Sequence, residues 1–357
     1  MEKRVLCLIE SLGSGGAERQ LAGLAAMLKK DGNVVKVATY VSKDFYKPVL
    51  DEAGCEYEYI PNALSPHKRF LKLAKVIRQY QPDVVIAYSP ATAEIACVLK
   101  RMSFKFNLIV SERSTTQYLS RSEKIKFFCY RWADWIVPNS QVQGEFIKNH
   151  YPRLAAKVRV ITNFVDTDYF SPIDEERELS DVYRMICVGR DDPLKNILCF
   201  IDALKLLSDK NIKIHVDWYG KFENAYGQQC REKIDKLCLN NMITLKGETK
   251  TVRDEYRKHD VFCIPSIIEG FPNVLCEAMS CGLPALCSNV CDNPTILENK
   301  KGGLLFEPTD ANDMAEKIEQ FVRLDNMEKK EMGRYNREKS LAMFSPAAFL
   351  SKYKEIL

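Results

Sequence analysis

The sequence has no apolar run near the roughly 18 residues that a membrane-spanning helix needs. Its first apolar stretch, residues 5–9, is too short for a secretory leader, and no cleavage-type site follows. There is no internal repeat and no low-complexity tract, which argues against solenoids and disordered linkers. Histidine is scarce, only four in the chain. Cysteine is plentiful at thirteen, yet odd in number and without any Cys-x-x-Cys pair. Cys276, Cys281, Cys287 and Cys291 lie close in sequence, but two fall in a helix-turn and one in a strand, which does not suit zinc. Free core thiols in a reducing cytosol fit the count better.

What remains is an ordinary composition, 46% hydrophobic and 28% charged over 357 residues. That length exceeds one usual core, so two domains are expected. The net charge of +4 is uneven: residues 1–170 carry 25 Lys and Arg against 17 Asp and Glu, and the remainder 27 against 31. A basic first half suits an anionic membrane surface or a lipid diphosphate, or is an ordinary solvated face.

Strand and helix patterns alternate along the chain, as in α/β folds. Residues 5–9 form a strand, followed by the loop Gly13-Ser14-Gly15-Gly16-Ala17-Glu18 and a helix with Leu21, Leu24, Ala25 and Leu28 on one face. Glu18 stands where a dinucleotide fingerprint needs its last glycine, which disfavours a nicotinamide enzyme. Residues 67–80 and 121–132 read as basic helices; the first has a core stripe, and the second suits either a membrane or the strand 135–137. A strand at 107–110 ends on Ser111-Glu112-Arg113, where the two charges are either site residues or a mutual salt bridge. Residues 158–161 are expected as the last strand of the first domain. Asp166-Thr167-Asp168 reads as a turn in a hinge rather than a metal site, and the acidic run 174–181 as a solvated linker.

In the second half, the strand 185–188 leads into Gly189-Arg190-Asp191-Asp192-Pro193-Leu194-Lys195-Asn196, a turn whose two cations suit a diphosphate. The most informative stretch is 260–284: a buried strand, then Glu269-Gly270-Phe271-Pro272-Asn273-Val274-Leu275, a short helix bearing Glu277, and Gly282-Leu283-Pro284. Unpaired amides at a helix start favour an anion, and a carboxylate is a good acceptor for a sugar diol. One acid for each of two diols, with an anion between them, describes a nucleotide diphosphate sugar.

The string S-x-x-E-G-F-P-N-x-x-x-E-A-M-x-x-G-L-P resembles the signature of family 4 retaining glycosyltransferases. That resemblance implies the GT-B fold: two Rossmann-like domains facing each other across a cleft, with the C-terminal helix crossing back to the first. The matching boundaries are 1–165 for an acceptor domain, 166–182 for the hinge, 183–340 for the nucleotide-sugar domain and 341–357 for the returning helix. It further implies that Glu277 holds the donor ribose and Glu269 the donor sugar. Phe271, Pro272, Asn273, Val274 and Leu275 would lie near the diphosphate, and Arg190 and Lys195, after Gly189, would neutralise it. Gly247 would lie beside the base, and Gly15 and Gly16 would face the donor. Relatives often have a histidine near residue 112; this chain has none there, so Glu112 takes the place as a candidate catalytic group.

The expected activity is transfer of a hexosyl or N-acetylhexosaminyl group from a UDP-type donor to a glycan or lipid-linked acceptor, without metal or cofactor. The alternatives are a nucleotide-sugar epimerase of the same fold and a non-catalytic binding module. The expected location is cytoplasmic, peripheral at the membrane's inner face, with no nucleic-acid partner.

Overall fold

A computed structural model describes residues 2–61, 65–116, 118–173 and 182–357; the acidic run 174–181 lies outside them. The chain divides into two compact units, one of residues 1–164 with Pro346–Leu357, the other Val165–Ser345.

In the first unit the strands are β1 (Arg4–Leu8), β2 (Val34–Thr39), β3 (Glu56–Tyr59), β4 (Val84–Ala87), β5 (Asn107–Glu112) and β6 (Trp135–Pro138). Between them run helices α1 (Gly16–Lys30), α2 (Lys47–Ala53), α3 (Pro66–Tyr80), α4 (Pro90–Arg101) and α5 (Arg121–Cys129), with α6 (Gln141–His150) after β6. All strand pairs are parallel, in the order β3-β2-β1-β4-β5-β6. Parallel strands must be covered on both faces, which is why they are apolar throughout. Leu6, Leu8, Val85, Leu108 and Val110 feed one face, and Val5, Cys7, Val84, Ile86 and Ile109 the other.

The second unit repeats the plan with β7 (Tyr183–Val188), β8 (Ile214–Tyr219), β9 (Ile243–Lys246), β10 (Val261–Ile264), β11 (Ala285–Ser288) and β12 (Gly303–Phe306). Its helices are α7 (Ile197–Asp209), α8 (Ala225–Lys236), α9 (Val252–Lys258), α10 (Asn273–Ser280), α11 (Asn293–Leu297), α12 (Ala311–Arg323) and α13 (Asn326–Phe344). The strand order is β12-β11-β10-β7-β8-β9, the same doubly wound arrangement. Each sheet has six strands among the described residues.

The last helix, α14 (Pro346–Lys354), belongs to the first unit. Phe349, Tyr353 and Ile356 join the core that contains α1 and the β1 face. Lys354 pairs with Asp31 at 2.7 Å, and Asn107 Nδ2 donates to the Ile356 carbonyl at 2.9 Å.

Residues 158–161 are not a strand. Only the bridge between Ile136 and Val158 forms. The Arg159 amide donates to the Ile136 carbonyl at 3.0 Å, but the next parallel bond must come from residue 138, and Pro138 has no N–H to give. The thirteen cysteines are free and nine of them are buried. Burial pushes the Cys55 and Cys230 thiols up to about 11 and Cys281 to about 12, so these behave as small apolar side chains.

Candidate functional site

In an open parallel sheet, ligands bind beyond the strand ends where two neighbouring strands send their chains to opposite faces. In the second unit that point lies between β7 and β10, which are paired. The loop leaving β7 runs from Gly189 to Asn196, and the loop leaving β10 from Pro265 to Pro272. Both predicted charge-bearing stretches therefore emerge side by side.

The β7 loop is held from below. Trp218 Nε1 donates to the Gly189 carbonyl at 2.9 Å. A Cβ on Gly220 would stand 2.1 Å from that same oxygen, so only glycine fits there. Asp192 accepts from the Leu194 amide at 3.0 Å, closing the turn. Asn196 adopts a left-handed conformation, φ 61°, and its Nδ2 ties the loop to the Pro265 and Pro308 carbonyls at 3.1 and 2.6 Å. The Ile267 amide donates to the Leu194 carbonyl at 2.8 Å, joining the two loops directly.

This frame brings Lys195 and Glu269 together, Nζ to Oε1 at 2.6 Å. The lysine side chain is 23% exposed and the glutamate 11%, so the pair is partly shielded but open on one side. The Glu269 amide donates to Cys291 Sγ at 3.4 Å, a contact with no sequence signal beyond a cysteine in a loop. Arg190 is placed differently from Lys195. Its side chain is 76% exposed and meets Asp192 at 3.3 Å, so only one of the two expected cations lies over the strand ends.

Helix α10 begins at Asn273 after Pro272, as expected. Gly282, with φ 77°, closes the turn that follows it. Within 271–275 the Asn273 amide donates to the Phe271 carbonyl at 2.9 Å and the Leu275 amide to the Pro272 carbonyl at 3.1 Å. Pro272 has no amide hydrogen, so the candidate anion donors narrow to Phe271 and Val274. Beside Gly270, Phe271 is buried, edge-on to Phe344 at 6.0 Å. Glu277 is also buried, with the Tyr256 hydroxyl 3.5 Å from Oε2. Above Gly247 there is open space.

In the first unit, Gly15 caps α1 and Gly16 is its first residue. The Glu18 carboxylate folds back on them: a Cβ at Gly15 would meet Glu18 Oε2 at 2.2 Å. This side chain supplies the negative charge that a helix start favours.

Glu112 is not placed as a catalytic group. It is buried, accepting from Lys126 Nζ at 2.7 Å and Tyr130 OH at 2.5 Å, while Lys126 also meets Glu123 at 2.7 Å. Nor does it pair with Arg113. Successive strand residues point to opposite faces, and Arg113 instead donates to Asn163 Oδ1 at 2.8 Å and the Tyr353 hydroxyl at 3.0 Å. Asp166 accepts from the Tyr169 amide at 3.0 Å in the expected turn.

The fold defines an α/β protein of two doubly wound units, and the relatives make its class specific. Residues 172–339 match the model for glycosyl transferases group 1, and residues 14–169 match glycosyltransferase family 4. One relative, 28% identical over 91% of this chain and 90% of its own, is a Campylobacter jejuni α-1,4-N-acetyl-D-galactosaminyltransferase named for a diphosphate-undecaprenol-linked acceptor. Another, from Escherichia coli, is 25% identical over 72% of this chain and 70% of its own; it is named a UDP-Gal:α-D-GlcNAc-diphosphoundecaprenol α-1,3-galactosyltransferase. A glycosyltransferase structure from Rickettsia africae superposes with a TM-score of 0.87 at 21% identity, over 99% of this chain and 97% of that one. The chain belongs to the family 4, group 1 glycosyltransferases and has the GT-B fold.

Two outcomes follow from these placements. Lys195→Ala should weaken nucleoside diphosphate binding by roughly 10- to 100-fold, the worth of a charged hydrogen bond. Arg190→Ala, lying mostly in water, should cost less than about fivefold; calorimetry with UDP giving the reverse order would contradict the geometry. Burial, opposed by Lys126, holds the Glu112 carboxyl above its ordinary range. A carboxyl raised in the fold loses stability as pH climbs through the window above the ordinary carboxylate value, because the unfolded chain ionises it more easily. Lys126→Met should therefore cost about 3–5 kcal/mol near pH 8 and less near pH 5, closer to the protonated form of Glu112. Equal losses at both pH values in urea unfolding would rule this out.

Proposed function

We propose that this glycosyltransferase moves a hexosyl or N-acetylhexosaminyl group from a UDP-linked donor, with retention at the anomeric carbon. The proposed acceptor is a hydroxyl of a glycan or lipid-linked glycan in polysaccharide or O-antigen assembly. The observation that carries the reading is the Lys195–Glu269 pair at the β7/β10 switch point, beside the start of α10. Lys195 can exchange its carboxylate partner for a departing diphosphate. Glu269, released by that exchange, can accept from sugar hydroxyls and favour positive charge developing at the anomeric carbon. The amides of Phe271 and Val274 add neutral donors to the same anion. Glu277, one helical turn further on, has the depth to hold a ribose diol.

In this mechanism the acceptor hydroxyl attacks on the face that the diphosphate leaves. A leaving phosphate oxygen takes the hydroxyl proton, the C–O bond to the diphosphate breaks, and the new glycosidic bond forms on the same side. The protein orients the sugar and stabilises the diphosphate, and no side-chain base is required. Lys195 and the helix amides do the neutralising, so we include independence from divalent metal in the proposal. Support for the donor and acceptor classes comes from the names of the Campylobacter and Escherichia relatives, one citing UDP-Gal and both a diphosphate-undecaprenol acceptor. No helix among the described residues is long and apolar enough to cross a membrane, and we place the enzyme peripherally at the cytoplasmic face.

Glu269→Gln should lower turnover by roughly 10²-fold while UDP affinity holds or tightens, since Lys195 loses its competing carboxylate. Glu277→Gln should do the reverse, weakening nucleotide binding with little loss of turnover at saturation. Full turnover of Glu269→Gln with saturating donor and acceptor would remove that group from the chemistry. Binding of UDP-sugars without transfer or hydrolysis would favour a binding module, and C2 inversion of the free donor an epimerase. Activity should persist in EDTA. Loss there with recovery on manganese would show that a metal site had been overlooked.

A further inference from the structure

The loop that carries Glu269 is gripped by both of its neighbours in the sheet. On the β7 side, the Ile267 amide donates to the Leu194 carbonyl at 2.8 Å. On the β11 side, Ser288 Oγ donates to the Ser266 carbonyl at 2.6 Å and reaches the Ile264 carbonyl at 3.3 Å. The chain then makes a tight turn, closed by the Asn293 amide on the Val290 carbonyl at 3.1 Å. Asn293 Nδ2 holds the Ser288 carbonyl at 3.0 Å and fixes the base of that turn. At its tip stands Cys291, half-buried, whose sulfur accepts from the Glu269 amide at 3.4 Å.

Cys291 sits there under strain. Its φ is 50°, in the left-handed region that glycine takes freely and residues with a Cβ do not. Strain of this kind, held in place at a ligand-facing loop, points to a positional role. Gly270 follows Glu269 directly and lends the backbone no stiffness on that side. Burial pushes the Cys291 thiol up, so at neutral pH the sulfur adds no second negative charge beside the carboxylate.

We infer that Cys291 is a positioning residue, its sulfur anchoring the Glu269 backbone so that the carboxylate lies across the β7 and β10 strand ends against Lys195. The inference rests on the proposed role of Glu269 in sugar transfer and adds the residue that aims it. Two loops hold Glu269 from opposite sides, the β7 loop through Ile267 and Lys195, the β11 loop through Ser266 and the Glu269 amide. Transfer is sensitive to displacements of about an ångström, so a weak contact at this point acts on turnover more than on binding.

The test compares Cys291→Gly, Cys291→Ala and Cys291→Ser in the full chain, with turnover read as UDP released from UDP-galactose or UDP-N-acetylgalactosamine. Gly and Ala remove the sulfur, and both should lower kcat roughly tenfold, less than the loss expected for Glu269→Gln. KM and UDP affinity should stay within about twofold, because Lys195 and the α10 amides are untouched. Ser keeps an acceptor and should hold kcat within about threefold of wild type. The melting temperature of Cys291→Gly should fall by no more than about 3 °C, since relief of strain offsets the lost contact. Cys238 has the same conformation, φ 56°, but is exposed in the turn before β9; Cys238→Gly should leave kcat unchanged. In a Glu269→Gln background, Cys291→Gly should cost less than about twofold, as the group it aims is gone. Amide exchange over residues 265–272 should rise in the Gly and Ala variants and not in Ser.

Full kcat in the Gly and Ala variants, a loss that adds in full to that of Glu269→Gln, or unchanged amide exchange overturns the inference. So does a kcat that falls only in step with the melting temperature. Failure of the underlying reading looks different: Glu269→Gln itself would turn over like wild type. Release of UDP from neither sugar by the wild type would count against that reading too, while amide exchange would still decide the anchor.

Discussion

The candidate site depends on one feature of connectivity: β7 and β10 are neighbours in the sheet, yet their chains leave for opposite faces. A gap opens above the two strand ends that no crossover helix can fill. The groups lining it cannot be chosen freely, because each must come from the first few residues after a buried strand. Here those residues are a glycine-started turn ending in Lys195 and a proline-bounded loop carrying Glu269. Trp218, Gly220 and Asn196 fix the first loop, and the Ile267–Leu194 hydrogen bond fixes the second to it. The charged pair is thus a product of backbone routing, with the side chains reaching only the last few ångströms.

Placing a lysine and a glutamate 2.6 Å apart in a half-shielded pocket has an electrostatic consequence. Neither charge has to be desolvated alone, which spares the unit the cost of a buried unpaired ion. The same pairing sets up an exchange. In the proposed reaction an arriving diphosphate would offer Lys195 a partner of higher charge, and the released carboxylate would become an acceptor for sugar hydroxyls. One contact can thereby serve stability before binding and orientation after it. Glu18 stands in a comparable relation to the start of α1, occupying a position that favours negative charge.

Much of this was legible in the sequence. Gly270, Pro272, Gly282 and Pro284 punctuate the loop and helix of the second unit, and their spacing carried both the local structure and the family. The failures have local physical causes. Expecting a strand at 158–161 counted apolar residues and overlooked that Pro138 cannot return a ladder bond. Reading Glu112 with Arg113 ignored strand alternation, which sends Glu112 to the Leu108 and Val110 face and Arg113 to the other. Arg190 and Lys195 look equivalent in a string, but the turn closed by Asp192 points one into water and the other across the strand ends. The 19-residue α13 gave little signal because its buried side includes Asn336 and Ser340. Asn336 caps the Leu283 and Gly302 carbonyls at 2.8 and 2.7 Å, so a hydrophobic period could not reveal it.

Helix α5 shows how a buried ion pair can change what a surface is able to do. A helix of nine residues normally needs most of its apolar side chains on the core side to stay in place. In α5 that side holds Phe127 and Lys126, the latter bridging Glu112 and Glu123. Burial works against the Lys126 charge, yet Glu112 beside it, then Glu123, hold the ammonium above its ordinary value, so the lysine stays charged where the helix meets the sheet. Attachment by charge and one aromatic ring leaves Ile125 and Phe128 unneeded for the core. A short helix secured in this way can present apolar groups outward without loosening, which an ordinary amphipathic helix of the same length could not do.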